Sequence, residues 1–451
     1  MIKICIPSNN IEERKYIIEV FFDEFLGLEY ELEIKDVKNY EMILSNNSKL
    51  IIKDHFFSKF SKNLQYLDKK NIPQKVEFGK NRFTVEKDIP IIYGNNELEI
   101  NDNQIICGID IFASSFFMLT RWEEYVNKTR DIHNRFPAYA SLAYKNNFLD
   151  RPIVNEYVEM LWNMLKFLGC KQERKERGFE IVLTHDVDEV KFWKSKGQLL
   201  RIVLGDILKR RNVKLALERL SEYYLVKRNS IKDPFDTFEW LMDKSEAIGT
   251  VSRFYFMSGG NSQYDNRYDV KGLKLLMRKI RERGHVIGFH PSYNSYNNLR
   301  QFREEKRLLE EVCECSLIEG RQHYLRFEVP TTWQIWEDCE MSIDSTCGYP
   351  EEPGFRCGTG DEFSVFNILT RKKLNLKERP LVFMDGTYYG YNKHTPANVV
   401  VKKIEQLIDI SRRFNQKIIF LFHNSIFSFS KTVDFSYLYK TILRRNRSNY
   451  E

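Results

Sequence analysis

The sequence has no C-x-x-C pair, no acidic tail and no low-complexity tract. No window approaches the roughly 18 to 20 apolar residues of a spanning helix. Each absence excludes something. Eight cysteines (Cys5, Cys107, Cys170, Cys313, Cys315, Cys339, Cys347 and Cys357) are too sparse for a small disulfide scaffold, so reduced thiols are expected. A net charge of +7 over 451 residues gives no ground for nucleic-acid binding. The opening "MIKICIPSNNIEERKYIIEV" has polar and acidic residues where an export signal needs an unbroken apolar core. The expectation is a soluble, cytoplasmic protein.

What the chain does have is apolar mass: 42% hydrophobic and 14% aromatic residues, enough for a large core in more than one domain. "MIKICIP" reads as a strand, "NIEERKYIIEVFFDEFLG" as an amphipathic helix stopped at Gly27, and "LEYELEI" as a second strand. "NDNQIICGIDIFASSFFMLTRWEEY" reads as strand then helix, and "RPIVNEYVEMLWNMLKFLG" as a helix between Pro152 and Gly169. The charged stretch "CKQERKERG" then suggests a boundary near residue 175, dividing an α/β amino-terminal domain (1–175) from a second domain (176–451).

In the second domain apolar runs alternate with helical patterns, as in a mainly parallel sheet, open or closed into a barrel. Several runs end in polar groups, and the carboxyl ends of parallel strands are where such folds gather their chemistry. "EIVLTHDVDEV" places Asp186 and Asp188 at alternate positions, so pleating aims both to one side and Val187 to the other. Two carboxylates sharing a site need a cation or guanidinium between them, so one suits a metal and the other a base. "HVIGFHPSYNS" ends a strand in His290, a nitrogen donor that completes a set suited to zinc or a similar divalent ion. "GRQHYLRF" offers Arg321, His323 and Arg326, and an arginine there can pair bidentately with a carboxylate. "FLFHNS" ends the last strongly apolar strand in His423, a group able to protonate a leaving amine. "DSTCGYPEEPGFRCGT", with Asp344, Gly354, Arg356 and Gly358, falls near the same rim as a loop suited to a sugar-binding wall, where Arg356 could meet an acidic sugar or phosphate; Asp385 in "LVFMDGTYY" sits at another strand end, with Tyr388 and Tyr389 placed to stack on a pyranose face.

One insertion stands apart. Between Lys191 and Arg228 eleven Lys or Arg face three Asp or Glu, on a basic amphipathic helical pattern over about 191–230. That pattern suits either an anionic membrane surface or an outer helical pair with solvated lysines.

In this order, "THDVD", "HPSYN", "RQHY" and "FLFH" resemble the motifs of the polysaccharide deacetylases, the family 4 carbohydrate esterases or NodB-homology domains, over about residues 179 to 430. The whole chain also resembles a bacterial subgroup that joins an uncharacterised amino-terminal domain to such a deacetylase. The resemblance implies a distorted (β/α) barrel and a metal-dependent hydrolase that removes acetyl groups from N-acetylated sugars of a surface polysaccharide or its precursor. It implies Asp186 as base, Arg321 as its tether, His423 as acid, and Asp188 and His290 as ligands of a divalent metal, zinc first. The second metal histidine of the family falls at Asn294, which is therefore the third expected ligand, with His185 or His323 as substitutes. That departure keeps a glycan-binding protein without catalysis as the rival, alongside an O-acetyl esterase. The expected partner is a carbohydrate, with a lipid-linked form compatible with the basic insertion.

Overall fold

The computed structural model of the protein describes residues 1–265, 268–428 and 433–447. Its architecture is mixed α/β, built on two large sheets. The first has six strands: β1 (Ile2–Pro7), β2 (Tyr30–Lys35), β3 (Tyr40–Ile43), β4 (Lys49–Ile52), β7 (Gly94–Asn101) and β8 (Gln104–Ile109), in the order β2-β1-β3-β4-β8-β7. A small ribbon, β5 (Glu77–Gly79) with β6 (Ile89–Ile91), interrupts the chain before β7. The helix expected after β1 runs as an α-helix over Ile11–Glu19 and widens into a π-helix over Val20–Leu26. It stops at Gly27, whose φ of 63° is left-handed. Within the two stretches read as helical, helices run over Ile111–Thr120 and Ile153–Phe167, the first capped by the Asp110 carboxylate on Ala113 N–H.

The second sheet has nine strands: β9 (Glu180–Val187), β10 (Ser252–Phe256), β11 (Val286–Phe289), β12 (Glu319–Gly320), β13 (Ile343–Asp344), β14 (Phe363–Asn367), β15 (Lys372–Glu378), β16 (Phe383–Met384) and β17 (Lys417–Leu421). Their order is β14-β15-β13-β12-β11-β10-β9-β17-β16, parallel throughout except for the antiparallel β14–β15 pair. Strand pairing does not close this sheet into a ring among the described residues. The short terminal strand β16 instead meets the β13 side through a loop bond, Leu381 N–H to the Cys347 carbonyl at 3.1 Å. Eight of the nine strands are thus parallel, and β14 is the antiparallel edge beyond β15.

Both sheets share one core. A single cluster of buried apolar side chains runs from Ile2 and Phe112 to Phe256 and Phe422. Tyr16 lies against Phe366 of β14 with ring centroids 4.9 Å apart, and its hydroxyl donates to the Ser364 carbonyl at 2.8 Å. Buried ion pairs cross the same boundary. Arg356 grips Glu124 through Nε (2.9 Å) and Nη2 (2.5 Å), and Arg371 reaches Glu13 at 2.8 Å. Arg356 is therefore committed to packing the halves together and is removed from the sugar-binding wall expected of it. None of the helices among the described residues is long and apolar enough to cross a membrane.

Candidate functional site

The carboxyl ends of β9, β11, β12 and β17 meet at a pocket of about 330 Å³. On β9, Thr184 and Asp186 point inward while His185 and Val187 turn to the outer helical layer, as the alternation requires. His185 is accordingly buried away from the pocket. Its Nδ1 donates to the Phe422 carbonyl at 2.9 Å and its Nε2 faces the Ser252 hydroxyl at 3.2 Å, so it is no ligand.

Asp186 and Arg321 form a buried ion pair, Oδ1 to Nη1 at 2.9 Å. The guanidinium is locked in place: Nη1 also donates to Thr184 Oγ1, Nε to the Ser345 carbonyl and Nη2 to Ser345 Oγ, each within 2.9 Å. The preceding residue sets its approach. At Gly320 an added Cβ would stand 1.9 Å from the Phe289 carbonyl, so only glycine lets β12 lie this close to β11.

Beside this pair Asp188, His290 and His323 bring one donor atom each to within 4.8 Å of one another. His290 Nε2 is 3.3 Å from Asp188 Oδ1 and 3.0 Å from His323 Nδ1, and His323 Nδ1 is 3.5 Å from the same Oδ1. Each imidazole is oriented by its far nitrogen, His290 Nδ1 on the Arg321 carbonyl (2.6 Å) and His323 Nε2 on the Tyr264 carbonyl (2.6 Å). Backbone carbonyls that fix a ring in this way leave the opposite nitrogen free to donate its lone pair. Asp188 Oδ1 is buried and accepts no hydrogen bond. An orphaned carboxylate oxygen facing two lone-pair nitrogens is the chemistry of a divalent-cation site. The three side chains present fit such an ion.

Asn294 does not join them. Its Oδ1 accepts from Arg326 Nη1 at 3.1 Å, and Arg326 is held over the rings of Tyr293 and Tyr296, each at 4.0 Å. The position expected to supply the third ligand is tied into a surface-side clamp, and His323, from the next strand end, stands in the cluster. Arg326 is likewise structural, also donating to the His133 and Tyr293 carbonyls.

Charge completes the picture. Burial disfavours a charge on Asp188, yet the imidazoles of His323, His290 and His423 outweigh it and hold the carboxyl far below the usual carboxylate range. His290 is raised despite its burial by Asp186 and Asp188, whereas burial lowers His323. His423 sits across the pocket with Nε2 3.6 Å from Asp188 Oδ2. Its Nδ1 donates to Asp385 Oδ1 at 2.7 Å, and Asp385 Oδ2 also accepts the His423 backbone N–H. Burial alone would lower the imidazole, but Asp385 lifts it to about 10.

Two groups at this site had no role assigned from sequence. Asp385 was visible only as an acid at a strand end. Arg135 lies in the amino-terminal half, in a stretch without strand or helix periodicity, and nothing local marks it as a pocket residue. It nevertheless lines the cavity beside Tyr324 and Tyr391. Its Nη1 donates to the Tyr324 carbonyl (2.8 Å), its Nη2 to the Tyr391 hydroxyl (2.7 Å), and Nε and Nη2 clasp Asp131. Tyr324 and Leu325 adopt left-handed φ values of 59° and 52°, a strained pair of residues directly after His323. Tyr389 is half exposed at the same mouth, and Tyr388 is turned into the core. Asp344 is fully buried and bonded to Thr346, away from the pocket.

Residues 2–169 match a family of unknown function, DUF7033. No curated relative matches the chain. Among solved structures it is similar to a putative polysaccharide deacetylase from Mycobacterium smegmatis, at 11% identity and a TM-score of 0.39, over 60% of this chain and 86% of that one. It is similar to Puue allantoinase at 11% identity and a TM-score of 0.36, over 61% of this chain and 84% of that one. A CE4 family pseudoenzyme from Bacillus anthracis matches at 11% identity and a TM-score of 0.27, over 60% of this chain and 61% of its own. Likenesses this remote carry no argument about chemistry, which rests on the pocket's own residues.

Proposed function

We propose that the protein is a metal-dependent hydrolase that removes acetyl groups from N-acetylated sugars of a surface polysaccharide or its precursor. The observation that carries this reading is the meeting, at one pocket, of a guanidinium-held carboxylate, a three-donor cation set and a carboxylate-held imidazole. Two imidazoles and a carboxylate suit zinc or a similar first-row divalent ion. Held by Asp188, His290 and His323, such an ion would supply Lewis-acid polarisation of the acyl carbonyl and a more acidic attacking water. Asp186, its carboxylate fixed and charge-balanced by Arg321, is the base for the attacking water. His423, steadied by Asp385 at Nδ1, presents Nε2 to the pocket and delivers a proton to the departing sugar nitrogen. Tyr324, Tyr389 and Tyr391 give the mouth aromatic surface on which a pyranose ring stacks.

The test is metal analysis of the purified protein with acetate release measured from N-acetylglucosamine oligomers and from O-acetylated sugars. Bound divalent metal and acetate from the amide substrate are expected. Acetate from the O-acetylated sugars alone would make it an esterase. Glycan binding with neither metal nor acetate would make it a binding protein and overturn the proposal.

A further inference from the structure

The basic insertion forms a helical hairpin, Lys196–Leu208 and Val213–Lys227, joined by four residues and therefore antiparallel. The two helices pack on each other through Leu199, Val203, Ala216 and Tyr223 with Trp193, a small cluster separate from the main core. A second apolar row remains outside. Leu200, Leu204, Ile207 and Leu208 on the first helix and Val213, Leu217 and Tyr224 on the second are 39% to 71% exposed. At 3.6 residues per turn these positions form one stripe on each helix. Each stripe lies about a third of a turn round, in the same sense, from the row that packs on the partner helix. In an antiparallel pair, equal rotations in the same sense bring both stripes to the same side, so the hairpin presents one continuous apolar face.

Cations surround that face. Of the three acids between residues 191 and 228, Asp206 is buried against Arg210, and Glu222 accepts from the Trp193 indole and lies 4.0 Å from Arg219, so nine further Lys and Arg stand beside Glu218. Arg201 flanks the stripe on the first helix, and Lys214 and Arg228 flank it on the second, all three exposed. A soluble domain gains nothing by placing seven large apolar side chains in water among arginines and lysines. An apolar face rimmed by cations matches the boundary of an anionic bilayer, where acyl chains take the leucines and headgroups take the charges.

We propose that this hairpin docks the protein on an anionic lipid surface. The docking places the pocket at that surface, because the hairpin springs from the site itself. Its chain leaves β9 directly after Asp188 and returns at Phe235, whose carbonyl accepts from Asn424, the neighbour of His423. Vesicle binding is read without substrate or metal, so its failure would leave the hydrolase reading untouched, and the converse holds as well.

The experiment is co-sedimentation of the full chain with two vesicle types, phosphatidylcholine alone and equimolar phosphatidylcholine with phosphatidylglycerol. Binding to the anionic vesicles that falls as salt is raised is expected, with little binding to the neutral ones. Leu208→Glu and Leu217→Glu should each weaken it about ten-fold, and Arg201→Glu with Lys214→Glu should weaken it further. All four side chains are exposed, so circular dichroism and the melting temperature should stay at the values of the unaltered protein. If a variant does unfold, Leu208→Ser with Leu217→Ser tests the same face with smaller changes. Absence of binding to anionic vesicles overturns the proposal, as does binding that these variants leave intact. A dimer in sedimentation velocity that Leu208→Glu dissociates, with no vesicle binding, would assign the face to a second copy and also overturn it.

Discussion

Arg135 Nη2 donates to the Tyr391 hydroxyl at 2.7 Å, a bond in which a side chain of the amino-terminal half helps to build the wall of a pocket formed by the other half. The same guanidinium holds the Tyr324 carbonyl, one residue beyond the candidate ligand His323, where the backbone carries its left-handed strain. The matched family of unknown function ends at residue 169, so on this geometry its unit is part of the site's construction.

The first prediction follows. Arg135→Met should keep the fold, since Asp131 is partly solvated, but should free Tyr391 and loosen the 323–325 turn. Misplacement of that kind costs up to about 100-fold in rate. A fall in kcat/KM with unchanged far-ultraviolet circular dichroism is expected. Arg135→Lys should rescue little, because an ammonium cannot reproduce the fork that serves Asp131, Tyr324 and Tyr391 together. Full activity in Arg135→Met would show that the wall does not depend on this residue.

The metal set gives a contrast between two positions. His323→Ala removes one of the three clustered donors, whereas Asn294→Ala removes only an acceptor for Arg326. Metal content measured on purified protein should collapse in the first and persist in the second. Asp186→Asn should keep the metal and lose acetate release, because Asp186 is paired with Arg321 and stands outside the clustered donors. Metal loss in Asp186→Asn would mean that the two aspartates have exchanged jobs.

Much of this was legible beforehand, and the limit has a physical cause. Strand ends such as Val182–Asp186 declare themselves, since a β-branched run that breaks into acid and imidazole has one sensible burial pattern. Convergence was legible only in order along the chain. Which of Asn294, His185 and His323 joins the donor cluster depends on pleat phase and on a turn built two strands away. His185 takes the outward phase of β9, Asn294 is captured by Arg326, and His323 arrives from beyond β12. Arg135 and Arg356 were beyond reach for a related reason. The partners that tie them to the other half, Tyr324 and Tyr391 for Arg135 and Glu124 for Arg356, lie more than 180 residues away in sequence, and no periodicity encodes such contacts.

The Arg356–Glu124 pair predicts how the halves unfold. Removing one partner of a buried ion pair costs about 3 to 5 kcal/mol, because the other charge stays buried alone. Glu124→Gln should cost more than Arg356→Met. The glutamate also accepts from Arg121 at 2.8 Å, so its loss strands the Arg356 guanidinium and leaves Arg121 only the longer Glu123 contact at 3.5 Å, while loss of Arg356 leaves Glu124 still paired. Urea unfolding should give one transition for the unaltered protein, as its continuous core requires, and a double variant less destabilised than the sum of the singles. Additive effects would mean that the pair contributes nothing as a pair.

His185 sets the last prediction, on pH. Burial pushes its imidazole down to about 4 from an ordinary value near 6.5, and the neutral ring is held between the Phe422 carbonyl and the Ser252 hydroxyl. Between those two values the unfolded chain binds a proton that the folded one refuses, so stability rises with pH across that window. The contribution is complete above about pH 6.5 and is lost as pH falls toward about 4, up to roughly 3 kcal/mol at about 1.4 kcal/mol per unit. His185→Leu should be less stable at neutral pH, since it leaves the Phe422 carbonyl without the ring N–H and the Ser252 hydroxyl with Ser245 alone. Its stability should nevertheless fall less steeply on acidification, by one proton's worth of slope. Other histidines titrate in both proteins, so the comparison is the difference in chelator-treated samples, measured by urea unfolding at several pH values. Parallel curves would mean that the folded ring takes up a proton as readily as the unfolded one, with Nε2 then donating to the Ser252 hydroxyl and Nδ1 still donating to the Phe422 carbonyl.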